Sequence, residues 1–161
     1  MKTNVKGFFT VEHYNKNGEQ IGTYEFPNGI VDEGMEYLLD AGFNGSSQTS
    51  TWYMGLVDNS GWTEFSNDDT MSSHSGWSEC NVYTESGRPE WDAGSAASRQ
   101  VTNANTTNFS INDTATLKGI FVCTNNTKDG TSGTLWSTAA FSSTVSTSNG
   151  DTIKVTYTVS G

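Results

Sequence analysis

Residues 152–159, TIKVTYTV, alternate strictly between apolar and polar side chains. In an extended chain, the apolar odd-numbered positions share one face and the Thr and Lys residues share the other. Such alternation predicts a half-buried antiparallel strand, with one face on a core and one in water. Threonine is β-branched and suits an exposed pleated surface without adding charge. The fold prediction therefore starts from an antiparallel sheet.

Similar short segments recur along most of the chain, separated by Gly, Asn, Asp and Ser. The dipeptide Asn17-Gly18 tolerates positive φ at both turn positions, so it predicts a hairpin between strands at 5–14 and 20–26. Further strands are predicted at 51–58, 79–85, 88–92, 99–104, 106–111, 114–124, 133–141 and 150–159. The pattern predicts an all-β chain with one domain, residues 1–161, built as an antiparallel β-sandwich that is jelly-roll-like.

One short α-helix is predicted at residues 31–41, VDEGMEYLLDA. Apolar residues recur at helical spacing and form one face, made of Val31, Met35, Leu38 and Leu39. Acidic residues crowd the first turns, where the helix dipole favours them. Gly42 is predicted to cap the C-terminus. We therefore expect a one-sided helix that packs across one end or one face of a sheet.

The charge balance excludes several classes of partner. The 161 residues include 8 Lys and Arg against 18 Asp and Glu, a net charge of −10 at pH 7. Because the chain has so few Lys and Arg side chains, it cannot bind phosphate backbones by counterion release. Nucleic acid is therefore not an expected partner. No apolar run approaches the roughly 18 residues that cross a bilayer, so no membrane association is expected. The N-terminus has no apolar stretch typical of a signal peptide, which predicts use without Sec export.

The longest segment without a predicted strand or helix is residues 59–78, NSGWTEFSNDDTMSSHSGWS. A loop of this length is usually functional or disordered, and its large apolar side chains favour an ordered loop docked on another surface. Large rigid side chains supply much of the binding energy at interfaces. We predict that the part from Gly61 to Trp77 contacts a partner protein. The predicted anchors are Trp62, Phe65, Met71 and Trp77.

Catalytic or metal-binding chemistry finds little support in the sequence. His13, in a predicted strand beside Glu12, is expected on the surface or at the rim of the sheet. Asp68, Asp69 and His74 could hold a divalent metal or orient a base. Loop carboxylates more often hydrogen-bond to their own backbone and build turns. With no nucleophile elbow, P-loop or zinc-protease motif present, we expect no enzyme, cofactor or metal, and a hydrolase using this loop is the alternative.

Cys80 and Cys123 lie in strand-like sequence and outside any C-x-x-C pattern. Two cysteines are too few for a disulfide framework or a zinc site. They are predicted to be small buried apolar side chains, with a single disulfide between them as the alternative.

Several aromatic residues suggest a different kind of surface. They are Trp52, Tyr53, Trp62, Trp77, Trp91 and Trp136. Aromatic faces stack on sugars, which would suit carbohydrate binding. The other interpretation is core packing together with anchoring at a protein interface, because Trp and Tyr supply large rigid contact area.

Six segments follow one another in a distinctive order. They are VDEGMEYLLDAGF (31–43), TWYMGLVDN (51–59), NDDTMSSHSGWSE (67–79), Tyr83 with Arg88-Pro89-Glu90-Trp91, LKGIFVCT (117–124) and GDTIKVTYTV (150–159). Over roughly residues 25–160, this order resembles small virion structural proteins of tailed bacteriophages, above all the capsid decoration or cement proteins. The resemblance brings no catalytic residues with it.

The resemblance implies a β-rich homo-oligomer, often a trimer, that binds the major capsid protein. It implies a place on the capsid exterior of the virion, reached by assembly in the host cytoplasm. Burying apolar surface across neighbouring subunits would stabilise the shell, and the N-terminal hairpin could add a strand to a neighbour's sheet. The alternative is a tail or head-fibre component that recognises a host-surface glycan.

Overall fold

A computed structural model describes residues 4–161. Within this range the elements, in chain order, are strands β1 Lys6–Tyr14, β2 Gln20–Pro27 and β3 Gly29–Ile30, helix α1 Asp32–Phe43, and strands β4 Trp52–Asp58, β5 Glu79–Cys80, β6 Glu90–Trp91, β7 Gln100–Thr102, β8 Thr107–Ser110, β9 Ala115–Cys123, β10 Leu135–Thr147 and β11 Thr152–Ser160. The strand between 133 and 141 extends six residues further than predicted, whereas β5 and β6 have only two residues each.

The strands form two antiparallel sheets. In the first, which we call sheet A, the order is β2-β1-β11-β7, and β8 also pairs with β11. In the second, sheet B, the order is β3-β10-β9-β4-β5, and β6 also pairs with β4. The two sheets share one apolar core, which confirms the predicted antiparallel β-sandwich.

β11 lies in the middle of sheet A and shows why its alternation predicted the fold. Ile153, Val155 and Tyr157 are buried in the core between the sheets. Tyr157 lies opposite Phe9 of β1 in the strand register, and their rings stack with centroids 4.2 Å apart. The alternating residues of β1 and β11 thus build one wall of the core.

The predicted hairpin is present between β1 and β2. Gly18 has a φ of 80°, and the side-chain oxygen of Asn15 accepts the backbone N–H groups of Asn17 and Glu19 at 2.9 and 3.1 Å. An asparagine side chain that binds the backbone two residues ahead mimics a turn, so the loop is stabilised locally.

The expectation that His13 lies at the surface is wrong. Its residue is 3% exposed, and its Nε2 lies 2.8 Å from Oδ2 of Asp151, which is also buried. His13 follows Phe9 and Val11 at a period of two, so it shares their inward face. The turn before β11 brings Asp151 to the end of this core and gives the ring a polar partner.

Sheet B is covered on its outer face as well. A second apolar cluster lies there, built from Val31, Val57, Met71, Trp77, Phe121, Cys123 and Leu135. Residues 59–78 supply Met71 and Trp77 and thus add a third layer to the sandwich. Burial on both faces explains why residues 119–123 of β9 are buried without alternation.

Helix α1 packs on β10 through its smallest residue. Gly34 is its one fully buried position, and it contacts the backbone of Trp136. The prediction that Gly42 caps the helix is wrong, because α1 continues through Phe43. The N–H of Asn44 bonds to the carbonyl oxygen of Asp40 at 3.0 Å, and Gly45 takes the positive φ, 72°, that ends a helix.

Cys80 and Cys123 are both free and buried, as predicted. Cys80 belongs to the core between the sheets and Cys123 to the cluster on the outer face of sheet B. Burial raises the pKa of both thiols above the ordinary value.

Candidate functional site

The side of α1 that was predicted to be buried is only partly so: Val31 is buried and Met35 half-buried, but the other two residues of that side are exposed. Leu38 is 39% exposed, Leu39 51% and Phe43 89%, whereas the sequence predicted that Leu38 and Leu39 pack on a sheet. The close contact at Gly34 fixes how α1 lies on β10 and leaves Leu39 and Phe43 on the outer face of the helix, whereas Leu38, four residues after Gly34, shares its face. We call Leu38, Leu39 and Phe43 the apolar helix surface. Phe43 was missed because the helix was predicted to end at 41, although Leu39 and Phe43 have i, i+4 spacing.

An open groove of about 590 Å³ adjoins this surface. Its wall on one side is α1, with Leu38 shared between groove and helix surface. Its other walls come from the start of β4, the end of β6, from β7 and β10, and from the end of β11. The lining residues are Tyr37, Leu38, Ala41, Gly42, Gln48, Thr49, Ser50, Trp52, Trp91, Ala93, Gly94, Val101, Trp136 and Val159. None of these carries a charge.

The aromatic walls of the groove are fixed in place by their neighbours. The ring of Trp52 makes edge-to-face contacts with Tyr37 and Trp136, with centroids 5.2 and 5.9 Å apart. The indole N–H of Trp136 donates to the hydroxyl of Tyr157 at 2.8 Å, and that of Trp91 donates to Oδ1 of Asn103 at 3.0 Å. These contacts hold the groove open in a defined shape.

The rim of the groove is tied to the helix. Residues 44–51 leave the end of α1 and run back towards β4, and the backbone N–H of Thr49 donates to the hydroxyl of Tyr37. Gln48, Thr49 and Ser50 supply the polar side chains of this rim. A pre-ordered rim lowers the conformational entropy that a ligand must fix on binding.

The predicted anchors Trp62, Phe65, Met71 and Trp77 do come together, but on their own sheet B. Met71 is 1% exposed and Trp77 3%, so neither presents a surface to a partner in this conformation. Trp77 contacts Phe121 with centroids 5.0 Å apart, and Phe65 lies edge-on to Trp77. Trp62 and Phe65 are half-buried against the same cluster and retain partial exposure.

Asp69 and His74 also make their contacts within the loop of residues 59–78. Oδ2 of Asp69 accepts the indole N–H of Trp77 and the backbone N–H of Ser66, both at 2.9 Å. The ring of His74 stacks on that of Trp77 with centroids 3.9 Å apart. Within residues 4–161, no three His, Cys, Asp or Glu side chains are arranged to hold a metal ion. The geometry of Asp69 matches the turn-building interpretation of these residues.

A smaller recess of about 170 Å³ lies over the buried ion pair of Arg88 and Glu79. The guanidinium donates to both carboxylate oxygens, at 2.9 and 2.7 Å, and to the carbonyls of Asn125 and Gly130. Burial alone would lower the pKa of Arg88, but its hydrogen bonds to Glu79 and the nearby negative charge outweigh this and raise it. The guanidinium therefore stays charged and ties the segment after β9 to β5.

Comparison with protein-family models and with curated proteins finds no match to this chain. Among the described residues, no helix has the length and apolar character needed to span a membrane. The site is therefore interpreted from its own geometry: an exposed apolar helix surface, continuous with a preformed and uncharged aromatic groove.

Proposed function

We propose that the chain is a structural attachment protein that binds the outer surface of a tailed-phage capsid and stabilises it. The observation that carries the proposal is the apolar helix surface of Leu38, Leu39 and Phe43, next to an open aromatic groove. Exposed apolar surface that is contiguous marks interaction sites in soluble proteins. The resemblance to capsid decoration proteins supplies the class of partner, the major capsid protein.

The proposed mechanism is mechanical and needs no catalytic group or cofactor. Each copy would cover apolar surface on neighbouring capsid subunits, and separating them would expose that surface to water at about 25 cal/mol per Å². Repetition over many sites makes the shell resistant to internal pressure. We further propose a homo-oligomer, with a trimer expected, that joins the virion in the host cytoplasm; native mass spectrometry measures this state.

Co-sedimentation with capsids that lack the protein tests the proposal. Leu39→Ser combined with Phe43→Ser should lower capsid occupancy at least ten-fold, because both side chains leave the contact. Ile21→Ser is the matched control, since Ile21 is 56% exposed but lies on β2 of sheet A. Full occupancy of the double variant, or an equal loss in the control, would contradict the assignment of the contact surface.

A second candidate is a tail or head-fibre component that binds a host-surface glycan. The groove favours it through three tryptophans and Tyr37, whose faces could stack on sugar rings. Against it, the indole N–H groups of Trp91 and Trp136 are already bonded within the chain. Binding of the isolated protein to a glycan array, abolished by Trp52→Ala, would favour this candidate over capsid attachment.

A further inference from the structure

The cations of this chain are distributed very unevenly. Residues 17–87 contain no Lys or Arg, although they carry twelve of the 18 acidic residues. These are Glu19, Glu25, Asp32, Glu33, Glu36, Asp40, Asp58, Glu64, Asp68, Asp69, Glu79 and Glu85. Helix α1 and the rim of the groove both belong to this stretch. The proposed contact surface therefore lies in the most acidic part of the sequence.

Acidic side chains form a row beside the apolar helix surface. Glu36 precedes Leu39 by three residues, and Asp40 precedes Phe43 by three, so each acid neighbours an exposed apolar side chain on the helix. Both acids are exposed, and neither forms an ion pair with a cation of residues 4–161. The carboxylates of Glu36 and Asp40 thus have no cation partner within the described chain.

We infer that the apolar helix surface receives a basic apolar segment of a partner protein, in which Lys or Arg flank leucine-like side chains. This inference rests on the proposed attachment function and specifies the chemistry of the partner. The apolar side chains would cover Leu39 and Phe43 on the outer face of α1, and the cations would meet Glu36 and Asp40 beside them. At 1.5 Å per residue, α1 is about 18 Å long, which suits a three-turn helix or a strand of about five residues.

Charge also decides against the other occupants. A second copy bound through the same surface would bring Glu36 and Asp40 of both chains together, in molecules that each carry a net charge of −10. Nucleic acid and anionic lipid have the same sign as this surface and would be repelled. A neutral sugar would leave the acidic row unused. A basic apolar segment gains from both the exposed apolar side chains and the acidic row, and its association would be accelerated by electrostatic attraction.

NMR titration of the isotopically labelled full chain tests this inference with two defined probes. One is a 15-residue peptide of Leu and Lys, and the other replaces each Lys by Glu. We expect the Leu/Lys peptide to shift resonances on the outer face of α1, with an affinity that falls as salt rises. Glu36→Gln and Asp40→Asn should each weaken it about two- to five-fold. Glu25→Gln, an exposed acid on β2, is the matched control and should change nothing.

The possible outcomes separate cleanly. Equal binding of the Leu/Glu peptide, shifts centred on another acidic surface, or self-association through α1 would each overturn the inference. Loss of peptide binding in Leu39→Ser/Phe43→Ser, together with shifts on the outer face of α1, would support it. The capsid assay is independent: peptide binding with no capsid binding would overturn the proposed function and leave the inference standing. Capsid binding through α1 with no Leu/Lys binding would overturn only the inference.

Discussion

Gly34 of α1 lies directly against Trp136 of β10: a Cβ atom at residue 34 would overlap the carbonyl oxygen of Trp136 and lie 2.8 Å from its Cα atom. The N–H of Val31 donates to that same carbonyl at 3.1 Å. One residue of β10 therefore fixes where the helix begins and how closely it approaches the sheet. Because Trp136 also lines the groove, this contact sets the width of the proposed binding site.

Gly34→Ala should therefore lower the free energy of unfolding by about 1–3 kcal/mol, since the added methyl group meets backbone and cannot be accommodated by a rotamer change. Gly42→Ala is the control within the same helix, where no atom lies within 4 Å of the added Cβ. It should raise stability by about 0.5–1 kcal/mol through helix propensity. Urea unfolding measures both, and equal effects of the two variants would contradict the close contact at Gly34.

The loop between β4 and β5 should prove structural where it is buried. Met71→Ala should destabilise the fold by about 2–5 kcal/mol, because it leaves a cavity in the cluster on the outer face of sheet B. Chains that remain folded should still occupy capsids, in contrast to Leu39→Ser/Phe43→Ser. If Met71→Ala leaves urea unfolding unchanged but abolishes capsid occupancy, the capsid contact lies in this loop, as the sequence predicted.

The buried pair of Arg88 and Glu79 gives a third prediction. Arg88→Met should cost about 3–5 kcal/mol, because it leaves the carboxylate of Glu79 buried without its charge partner. Replacing both residues by Met should cost less than the two single changes together. Urea unfolding of the two single variants and the double variant measures the coupling. If the two single effects on the free energy of unfolding add up to that of the double variant, the two side chains do not stabilise each other.

Much of the sandwich could be predicted from the sequence because the patterns that specify it lie within short stretches of the chain. The alternation of β11 and the Asn17-Gly18 turn each act within a few residues. The period of two does place His13 on the inward face with Phe9 and Val11, but its polar partner could not be predicted, since Asp151 is 138 residues away in the chain. Nothing in the strand pattern around His13 indicates that a carboxylate will lie at the end of the core.

The exposed site was harder to predict because hydropathy does not register glycine contacts. Helical spacing correctly predicted α1, but it assigned the buried side to the largest apolar residues. The helix instead packs through Gly34, whose lack of a side chain permits close approach to β10. Leu39 is left on the outer face of the helix as a result, while Leu38 lies on the same side as Gly34 and lines the groove. For the loop, the four large side chains indicated docking, but only the tertiary structure shows that sheet B is the surface they cover.

Tyr157 links the two sheets beneath the groove and predicts a response to alkaline pH. Its hydroxyl accepts the N–H groups of Trp136 at 2.8 Å and Asn28 at 2.6 Å. Burial raises the pKa of Tyr157 to about 12, and the hydrogen bonds to it offset part of that rise. The unfolded phenol, with a pKa of about 10, loses its proton first as pH rises.

Between pH 10 and pH 12, the unfolded state therefore binds fewer protons than the native state, and stability falls. Complete passage through this window corresponds to about 2.7 kcal/mol for two pKa units. Tyr157→Phe should remove that part of the alkaline loss, while lowering stability at pH 8 by about 1–3 kcal/mol because the indole N–H of Trp136 loses its acceptor. Burial also raises the pKa of Tyr83, so Tyr83→Phe should flatten the profile further. Urea unfolding from pH 8 to pH 11.5 measures the slope, and an identical slope in Tyr157→Phe would contradict the role of this buried phenol.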